Sequence, residues 1–245
     1  NGGASSTDTC SDVTWTNDFS ELSDDCGASG SATVTFTATD DCGNSVTTSA
    51  TFTIEDTTVP VIDVEASDLT VECDGDGNQQ DLADWLASNG GSASTDACSD
   101  VTWTNDYSEL SDDCGATGSA IVTFTATDAC GNEVSTIAIF TIEDTSAPIV
   151  ITPFDEELTV SCSEIPDAPE LEFEDSCSSE ISIEFEETST FDGEPVDYEI
   201  IREWTVTDDC GNVEIFTQTI FVLYESNVTG SDISLCNDVL PIDLF

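Results

Sequence analysis

The stretch SATVTFTATD (residues 31–40) carries the alternation that decides the fold of this chain. Apolar side chains occupy every second position and threonines fill the positions between them, so a strand here would bury one face and wet the other. Threonine suits the wet face because its Cβ is branched. The same period of two recurs at Val13 and Trp15, at Ala50, Phe52 and Ile54, and at Ile181, Ile183 and Phe185. The chain is therefore predicted to be mostly β.

Turn signals separate these strands. Asp-x-Cys-Gly-Asn follows the first at residues 40–44, and Glu-Asp-Thr follows the next at residues 55–57. Several short strands within about 80–90 residues predict an immunoglobulin-like sandwich. One helix is predicted in NQQDLADWLASNGG (78–91). Asn78 would cap this helix, Leu82, Trp85 and Leu86 would share its buried face, and Gly90 would end it.

The sequence repeats itself. Residues 1–60 and 89–148 align without a gap at an offset of 88, and 47 of the 60 positions are identical. TVTDDCGN (205–212) matches TATDACGN (125–132) at an offset of 80 and indicates a third, diverged copy. Because the period has the size of a domain, the predicted architecture is all-β. It consists of tandem immunoglobulin-like sandwich domains in an extended beads-on-a-string array, with one short helix per full repeat.

The predicted boundaries follow from the alignment. They give the C-terminal part of a first repeat at 1–58, a complete second repeat at 59–146, a diverged third repeat at 147–225 and the start of a further truncated domain at 226–245. No counterpart of DLTVEC (68–73) precedes the first copy, and DISLCNDVLPIDLF (232–245) begins a new unit. We therefore expect the chain to be cut at both ends from a longer one.

Charge excludes several function classes. Fifty-three acidic side chains face a single basic one, Arg202, there is no histidine, and the formal net charge is −52. Nucleic acid and anionic membrane surfaces would repel such a chain, and no apolar run has the length of a membrane span. We expect neither nucleic-acid binding nor direct membrane insertion. Without histidine or lysine as a base, and with its acids in repeated turns rather than one cleft, the chain is not expected to be an enzyme.

Eleven cysteines stand at wide, recurring spacings, without histidine and without a close C-x-x-C pair. This pattern predicts disulfides formed in an oxidising compartment rather than zinc sites. An odd number leaves at least one cysteine without a partner in the chain. Extracellular localisation is the expectation.

VTFTATDACGN (122–132) and FTIEDTSAP (140–148) resemble hyalin-type (HYR-like) repeats, and the likeness extends to about Glu225. Such repeats are immunoglobulin-like modules that occur in tandem in very large surface adhesins of gliding bacteria and in other extracellular proteins. The resemblance implies a secreted protein of the cell surface that serves adhesion, gliding motility or matrix formation, without catalysis. It implies bacterial export and cell-surface anchoring machinery as partners, and an extracellular surface or glycan ligand of unknown identity.

Within that class, a non-catalytic stalk region is the favoured function. The alternatives are a glycan-binding (lectin-like) module, because Trp15, Trp103 and Trp204 could stack on sugar rings, and an extracellular matrix or filament protein. Alternating strand positions favour burial of the three tryptophans over sugar binding.

Disulfide pairing is predicted from the sandwich topology. The second and penultimate strands of an immunoglobulin-like sandwich run parallel, so their ends share a pole. The pairs expected on this basis are Cys98–Cys130, Cys73–Cys114, Cys10–Cys42 and Cys177–Cys210. The local pair Cys98–Cys114 remains an alternative, since four cysteines allow three connectivities.

Carboxylates are concentrated where the copies meet. Three or four oxygen donors converging on one linker suit calcium and resemble the junctions of cadherins, so Ca²⁺ is the expected cofactor and would stiffen the junctions. The predicted ligands are Glu55, Asp56, Asp96 and Asp128 at one junction and Glu143, Asp144, Asp175 and Asp208 at the other. The alternative is that these residues only cap turns and stay solvated.

Two further features carry expectations. Asp74, Asp76 and Asn78 have the one-three-five spacing of a calcium loop, although Trp85 stands where the twelfth-position glutamate is expected. Arg202 falls on the inward register of its strand and needs a carboxylate partner, for which Glu184 or Glu186 is expected.

Overall fold

The computed structural model describes residues 1–194 and 196–224, so the predicted domain start at 226–245 lies outside it. The described residues form strands, one α-helix, α1 (Gln79–Ala87), and a 3-10 turn (Asn89–Gly91). This confirms the predicted all-β class and its short helix. The strands are β1 (Val13–Asn17), β2 (Gly30–Asp40), β3 (Ser45–Ile54), β4 (Val61–Val64), β5 (Leu69–Glu72), β6 (Ala93–Thr95), β7 (Thr102–Asn105), β8 (Gly118–Thr127), β9 (Glu133–Glu143), β10 (Ile149–Val150), β11 (Glu157–Ser161), β12 (Phe173–Glu174), β13 (Ile181–Ser189), β14 (Tyr198–Asp208) and β15 (Val213–Leu223).

Three larger sheets and two ribbons account for these strands. The sheets have the orders β1-β2-β3, β5-β9-β8-β7 and β11-β15-β14-β13, and the ribbons are β4-β6 and β10-β12. In the third sheet β11 runs parallel to β15, with Glu157 opposite Thr219, whereas β14 pairs antiparallel with both of its neighbours. The second and third sheets therefore repeat one strand order. The first has the same order but, within the described residues, no strand beside β3.

The chain divides into two compact units. Their limits differ from the predicted repeat boundaries, and those boundaries stay a prediction. Unit 1 comprises Asn1–Leu69, Gln80–Glu109 and Ala120–Phe140, and unit 2 comprises Thr70–Gln79, Leu110–Ser119 and the described residues from Thr141 onward.

Helix α1 places Trp85 in the core of unit 1. The indole ring lies 5.2 Å from the ring of Phe124, edge to face, and 5.5 Å from that of Phe140, centroid to centroid. Its Nε1–H donates to the carbonyl oxygen of Ser67 at 3.0 Å, so the buried polar atom is satisfied. Gly90 ends the helical segment with φ +66°, where a Cβ would lie only 3.0 Å from the Phe124 ring. The predicted role of Trp85 as a core side chain is confirmed.

β3 and β9 are counterparts in the two aligned copies, yet their surroundings differ. Phe140 on β9 is fully buried, whereas Phe52 on β3 is 59% exposed. All ten residues of β3 are exposed, so the half-buried face predicted for Ala50, Phe52 and Ile54 is wrong. The reason is tertiary: Phe140 packs on Trp85 and its strand has β5 beside it, whereas β3 is the last strand of its sheet within the described part of the chain.

Unit 2 has its own core and contains the lone basic residue. Ile200, Ile220 and Val222 form a buried cluster near Arg202, which is 4% exposed. The guanidinium donates to Glu187 Oε2 at 2.6 Å, Gln218 Oε1 at 3.2 Å and Pro166 O at 2.7 Å.

The partner of Arg202 differs from the one expected. Glu187 lies directly opposite Arg202 in the β13–β14 register, whereas Glu184 and Glu186 lie opposite Thr205 and Glu203. The need for a carboxylate partner was therefore predicted correctly, but the register was not, because strand register depends on the turn and on partner strands.

The two copies provide a matched pair of substitutions. We expect Phe140→Ala to lower the free energy of unfolding by about 3–5 kcal/mol, because it empties a filled core site. Phe52→Ala should cost less than about 1 kcal/mol, because that ring is largely in water. Denaturant unfolding of both variants measures the difference, and equal losses would contradict the environments described for β3 and β9.

Candidate functional site

The disulfides connect different copies of the sequence repeat. Cys26 is bonded to Cys130, Cys73 to Cys177 and Cys114 to Cys210, at sequence separations of 104, 104 and 96 residues. The pairs predicted from the sequence, Cys98–Cys130, Cys73–Cys114, Cys10–Cys42 and Cys177–Cys210, are therefore wrong, as is the alternative Cys98–Cys114. Cys10, Cys42 and Cys98 are free thiols, although all three were predicted to be bonded.

A short Cys-Gly-Ala loop explains this connectivity. The loop of the first copy docks on a turn of the second, where Ala28 N–H donates to Cys98 O at 2.9 Å. The next loop repeats the contact, with Ala116 N–H donating to Cys177 O at 2.9 Å. A Cβ on Gly27, at φ +55°, would lie 2.6 Å from Cys98 O, so this close approach requires glycine. The topological prediction failed because it closed each bridge within one copy.

Carboxylates gather around Cys98 in unit 1, and we call this group the Asp56 cluster. Ligand atoms of Asp56, Asp96 and Cys98 all lie within 4.8 Å of one another. Asp96 Oδ1 accepts the backbone N–H groups of Cys98 at 2.8 Å and Ser99 at 2.9 Å. Asp56 Oδ1 accepts from Thr58, but Asp56 Oδ2 is buried and has no hydrogen-bond donor among the described residues. The cluster therefore contains a buried carboxylate oxygen that can accept a cation.

Asp128 adds a third negative charge to this cluster. Both of its oxygens accept hydrogen bonds from Asn132, whose Nδ2 also donates to Asp56 O at 3.3 Å. Burial works to raise the pKa of Asp128, but the hydrogen bonds from Asn132 outweigh it and lower that pKa. Burial, followed by the charges of Asp56, Asp96 and Asp128, raises the pKa of Cys98. Cys98 is thus held as a neutral thiol.

Unit 2 contains the same arrangement, which we call the Asp144 cluster. Ligand atoms of Asp144, Asp175 and Cys177 lie within 4.8 Å of one another. Asn212 Nδ2 donates to Asp208 Oδ2 at 2.8 Å and to Asp144 O at 3.1 Å. These two bonds bring Asp208, the third carboxylate, to the group. Burial, together with the negative charges of Asp175 and Asp208, raises the pKa of Asp144. Three aspartates predicted to converge in each cluster are thus close together in the structure.

The remaining predicted ligands have other surroundings. Glu55 and Glu143 have exposed side chains and belong to neither group of close ligand atoms within the described residues. Asp74 Oδ1 accepts the backbone N–H groups of Asp76 and Asn78, each at 2.9 Å, and these bonds lower the pKa of Asp74. That loop satisfies its carboxylate internally, and calcium binding there stays a prediction.

The donor set of the two clusters fits calcium in type. Asp56, Asp96, Asp144 and Asp175 offer hard carboxylate oxygens, and Asp128 and Asp208 add negative charge nearby. Calcium takes six to eight oxygen ligands, so water would supply the rest of the coordination shell. The sulfur atoms of Cys98 and Cys177 are soft and would remain outside such a shell.

The three tryptophans considered for sugar binding are buried or half-buried. Trp204 is 5% exposed, and Trp15 and Trp103 are half-buried on β1 and β7. An open cleft of about 390 Å³ in unit 2 is lined by Ser146, Ala147, Ile149, Glu174, Asp175 and Ser176. These residues include no aromatic ring, so this cleft lacks a stacking platform for a sugar. No helix among the described residues is long and apolar enough to span a bilayer.

Comparison with known proteins gives one family match. Residues 150–222 match the model of the HYR-like domain with 4 cysteines. No curated protein matches the chain. Solved structures similar to the chain include the protocadherin gammaB7 EC3-6 cis-dimer, at 14% identity and a TM-score of 0.31, covering 86% of this chain and 68% of that chain. The Drosophila N-cadherin EC1-4 structure is 13% identical with a TM-score of 0.30, and the match covers 81% of this chain and 58% of that chain.

The Asp144 cluster predicts a pH-dependent effect. Because the folded-state pKa of Asp144 is raised, its contribution to stability is fully present below the ordinary aspartate pKa of 3.8 and is lost as pH rises through the folded-state value. In chelator-treated buffer at pH 7, Asp144→Asn should therefore raise Tm, by on the order of 1–3 °C. The gain should shrink as the pH falls toward 4. Thermal unfolding of both proteins across this pH range measures the gain. A Tm difference that is constant or negative would contradict a destabilising negative charge on Asp144.

Proposed function

We propose that this chain is a non-catalytic stalk region of a secreted cell-surface adhesin, in which disulfides carry tension from one copy of the repeat to the next. The observation that carries the proposal is the connectivity of Cys26–Cys130 and Cys114–Cys210, each of which joins a loop of one copy to the following copy. Links of this kind suit a tether that is pulled along its length, because they transmit force from one copy to the next.

The bridges create a covalent shortcut through the chain. Cys26 and Cys210 are 184 residues apart, but a path through both bridges uses only the sixteen residues between Cys114 and Cys130. Force applied to the two ends would therefore bypass most of the backbone. In the chain-entropy model each bridge, closing a loop of about 100 residues, also stabilises the fold by about 4–5 kcal/mol.

The proposed location follows from the same bonds. Disulfides of this number persist in oxidising compartments, which supports an extracellular protein. The HYR-like match over residues 150–222 supports a repeat of the adhesion type. The proposal includes attachment to the cell surface and a role in gliding motility. It also includes bacterial export and anchoring machinery as partners, and an extracellular surface or glycan as ligand.

Calcium is proposed to stiffen the two clusters. Burial, followed by the negative charges of Asp175 and Asp208, raises the pKa of Asp144. A divalent cation would replace the repulsion among these three carboxylates by attraction. Asp144 and Asp175 would hold the ion in unit 2, and Asp56 and Asp96 would hold it in unit 1. The buried, unpartnered Oδ2 of Asp56 supports this assignment, because a buried carboxylate oxygen is costly to leave unpaired.

Single-molecule stretching tests the covalent shortcut. With the bridges intact, the segment between Cys26 and Cys210 should extend by little more than sixteen residues. Reduction should then release roughly 550–600 Å of further extension, at 3.3–3.6 Å per residue. The paired Cys114→Ser and Cys210→Ser substitutions should give an intermediate gain of roughly 210–230 Å, because two equally short paths then remain, one through Cys26–Cys130 and one through Cys73–Cys177. Full extension of the unreduced protein would show that the disulfides do not carry the force.

Calcium titration tests the second half of the proposal. At a calcium concentration 100-fold above Kd, binding to the folded state should stabilise a unit by about 2.7 kcal/mol and raise its Tm. Asp175→Asn should abolish this gain in unit 2, whereas Glu194→Gln, in an exposed loop, should leave it intact. Sodium chloride at matched ionic strength controls for screening. The absence of both binding heat and a calcium-specific Tm shift would reject calcium while leaving the disulfide shortcut standing.

A further inference from the structure

β13 forms one edge of the third sheet and is longer than its counterparts in the other two sheets. Among the described residues it pairs only with β14, and it has nine residues, whereas β1 has five and β7 has four. All three strands stand at the same end of their sheets. A long edge presents a row of backbone N–H and C=O groups, which is a template for a further strand.

One residue explains the difference in length. Asn17 and Asn105 are the last residues of β1 and β7, and the side-chain oxygen of each accepts the backbone N–H two residues further on, at 3.1 and 3.3 Å. Such bonds favour a turn over a continued strand. Phe185 stands in the place of Asn105 at the offset of 80 that relates the second and third copies. It has no oxygen to offer, and β13 continues for four more residues, to Ser189.

The register of β13 shows which of its backbone groups are open. Residues of an antiparallel edge strand direct their backbone groups alternately toward the sheet and away from it. Thr190 N–H, directly after β13, donates to Glu199 O at 2.9 Å, so every second residue before Thr190 also faces β14. The residues between them, Ile183, Phe185 and Glu187, direct their N–H and C=O groups away from the sheet. Within the described residues these outward groups have no hydrogen-bond partner.

The core-facing side of this edge is apolar and incompletely covered. Ile183 and Phe185 are 49% and 48% exposed. They lie opposite Val206 and Trp204, both of which are buried, and the rings of Phe185 and Trp204 are 5.1 Å apart. A strand placed outside β13 would cover both exposed side chains.

The other side of the edge carries negative charge without a cation. Glu184 and Glu186 are exposed there, and Glu186 lies directly opposite Glu203 of β14. Like charges that face each other in an antiparallel pair are destabilising. The one basic side chain of the sequence, Arg202, is bound by Glu187. Neutralising charge for Glu184 and Glu186 must therefore come from another molecule.

We propose that the free edge of β13 binds an extended segment of a different, basic protein, in which apolar and basic side chains alternate. The segment pairs with the outward backbone groups, its apolar residues cover Ile183 and Phe185, and its lysines or arginines lie beside Glu184 and Glu186. A second copy of this chain does not fit, because two β13 edges would place glutamate against glutamate. The inference is independent of the stalk role, since it uses only the edge of one sheet.

Amide exchange of the 245-residue chain, followed by NMR, tests this docking. The probe is a synthetic peptide of nine residues, as in β13, that alternates isoleucine with lysine. At a peptide concentration ten times Kd, exchange at Ile183, Phe185 and Glu187 should slow about tenfold by mass action. Exchange in β7 (Thr102–Asn105) should not change, because that edge is short and has threonine in the place of Glu184.

Two further peptides separate strand pairing from simple charge attraction. One keeps the composition but places the lysines and isoleucines in separate halves, so it retains the net charge and loses the alternation. The other has glutamate in place of lysine. Neither should protect the three outward amides. Equal protection by the segregated peptide would show only non-specific attraction to a chain of net charge −52 and would reject the site.

Charge reversal on the protein provides the reciprocal test. Glu184 and Glu186 are exposed, so the paired Glu184→Lys and Glu186→Lys substitutions should leave the fold intact. The preference should then invert, with the glutamate peptide protecting β13 and the lysine peptide losing its effect. Equal protection of both proteins by the lysine peptide would overturn the charge recognition.

The free protein supplies the last control. Protection of the outward β13 amides that rises with protein concentration, without peptide, would mean that a second copy occupies the edge, and it would overturn the proposal. None of these results depends on disulfides, calcium or force, so failure here is distinct from failure of the stalk.

Discussion

The Cys26–Cys130 and Cys114–Cys210 disulfides hold a loop of one copy against a turn of the next, and the acidic clusters lie beside these contacts. A chain with a net charge of −52 opposes close approach of its own turns, since like charges in partly buried sites repel strongly. The pKa of Asp144 is raised first by burial and then by the charges of Asp175 and Asp208, so this repulsion contributes to it locally. Covalent bonds that each contribute about 4–5 kcal/mol through loop closure can offset it where weak surface contacts could not.

Hydrogen bonds within the turns also hold the acidic segments together against this repulsion. Asn132 and Asn212 each donate to a carboxylate and to the carbonyl oxygen of an aspartate that follows an earlier strand, Asp56 after β3 or Asp144 after β9. The asparagine of the repeated Asp-x-Cys-Gly-Asn motif is therefore a link between the turn and the acidic segment. It therefore helps the disulfides to keep the third carboxylate of each cluster, Asp128 or Asp208, near the other two.

Features that depend on local sequence could be predicted. The strands followed from period-two alternation, helix α1 followed from the spacing of Leu82, Trp85 and Leu86, and both are present in the structure. The convergence of Asp144, Asp175 and Asp208 was also accessible, because the position of turns within a sandwich follows from strand order. The partner of Arg202 was not, since a shift of one residue in the β13–β14 pairing exchanges Glu186 for Glu187. The disulfides were missed for a related reason. The spacing of cysteines along the sequence does not show which of them meet in the fold, and the docking of Gly27 on Cys98 O is a tertiary contact.

β3 and β9 show most clearly what sequence alone leaves open. The segments ATFTIED (50–56) and AIFTIED (138–144) differ at one position, yet the phenylalanine of one is in water and that of the other is in a core. No property of the segment itself can produce this difference. It arises from Trp85 and from the strand beside β9, both contributed by residues outside the segment. Near-identical copies can thus have unequal burial, and the stability of one copy cannot be transferred to the next until the strand on its edge is known.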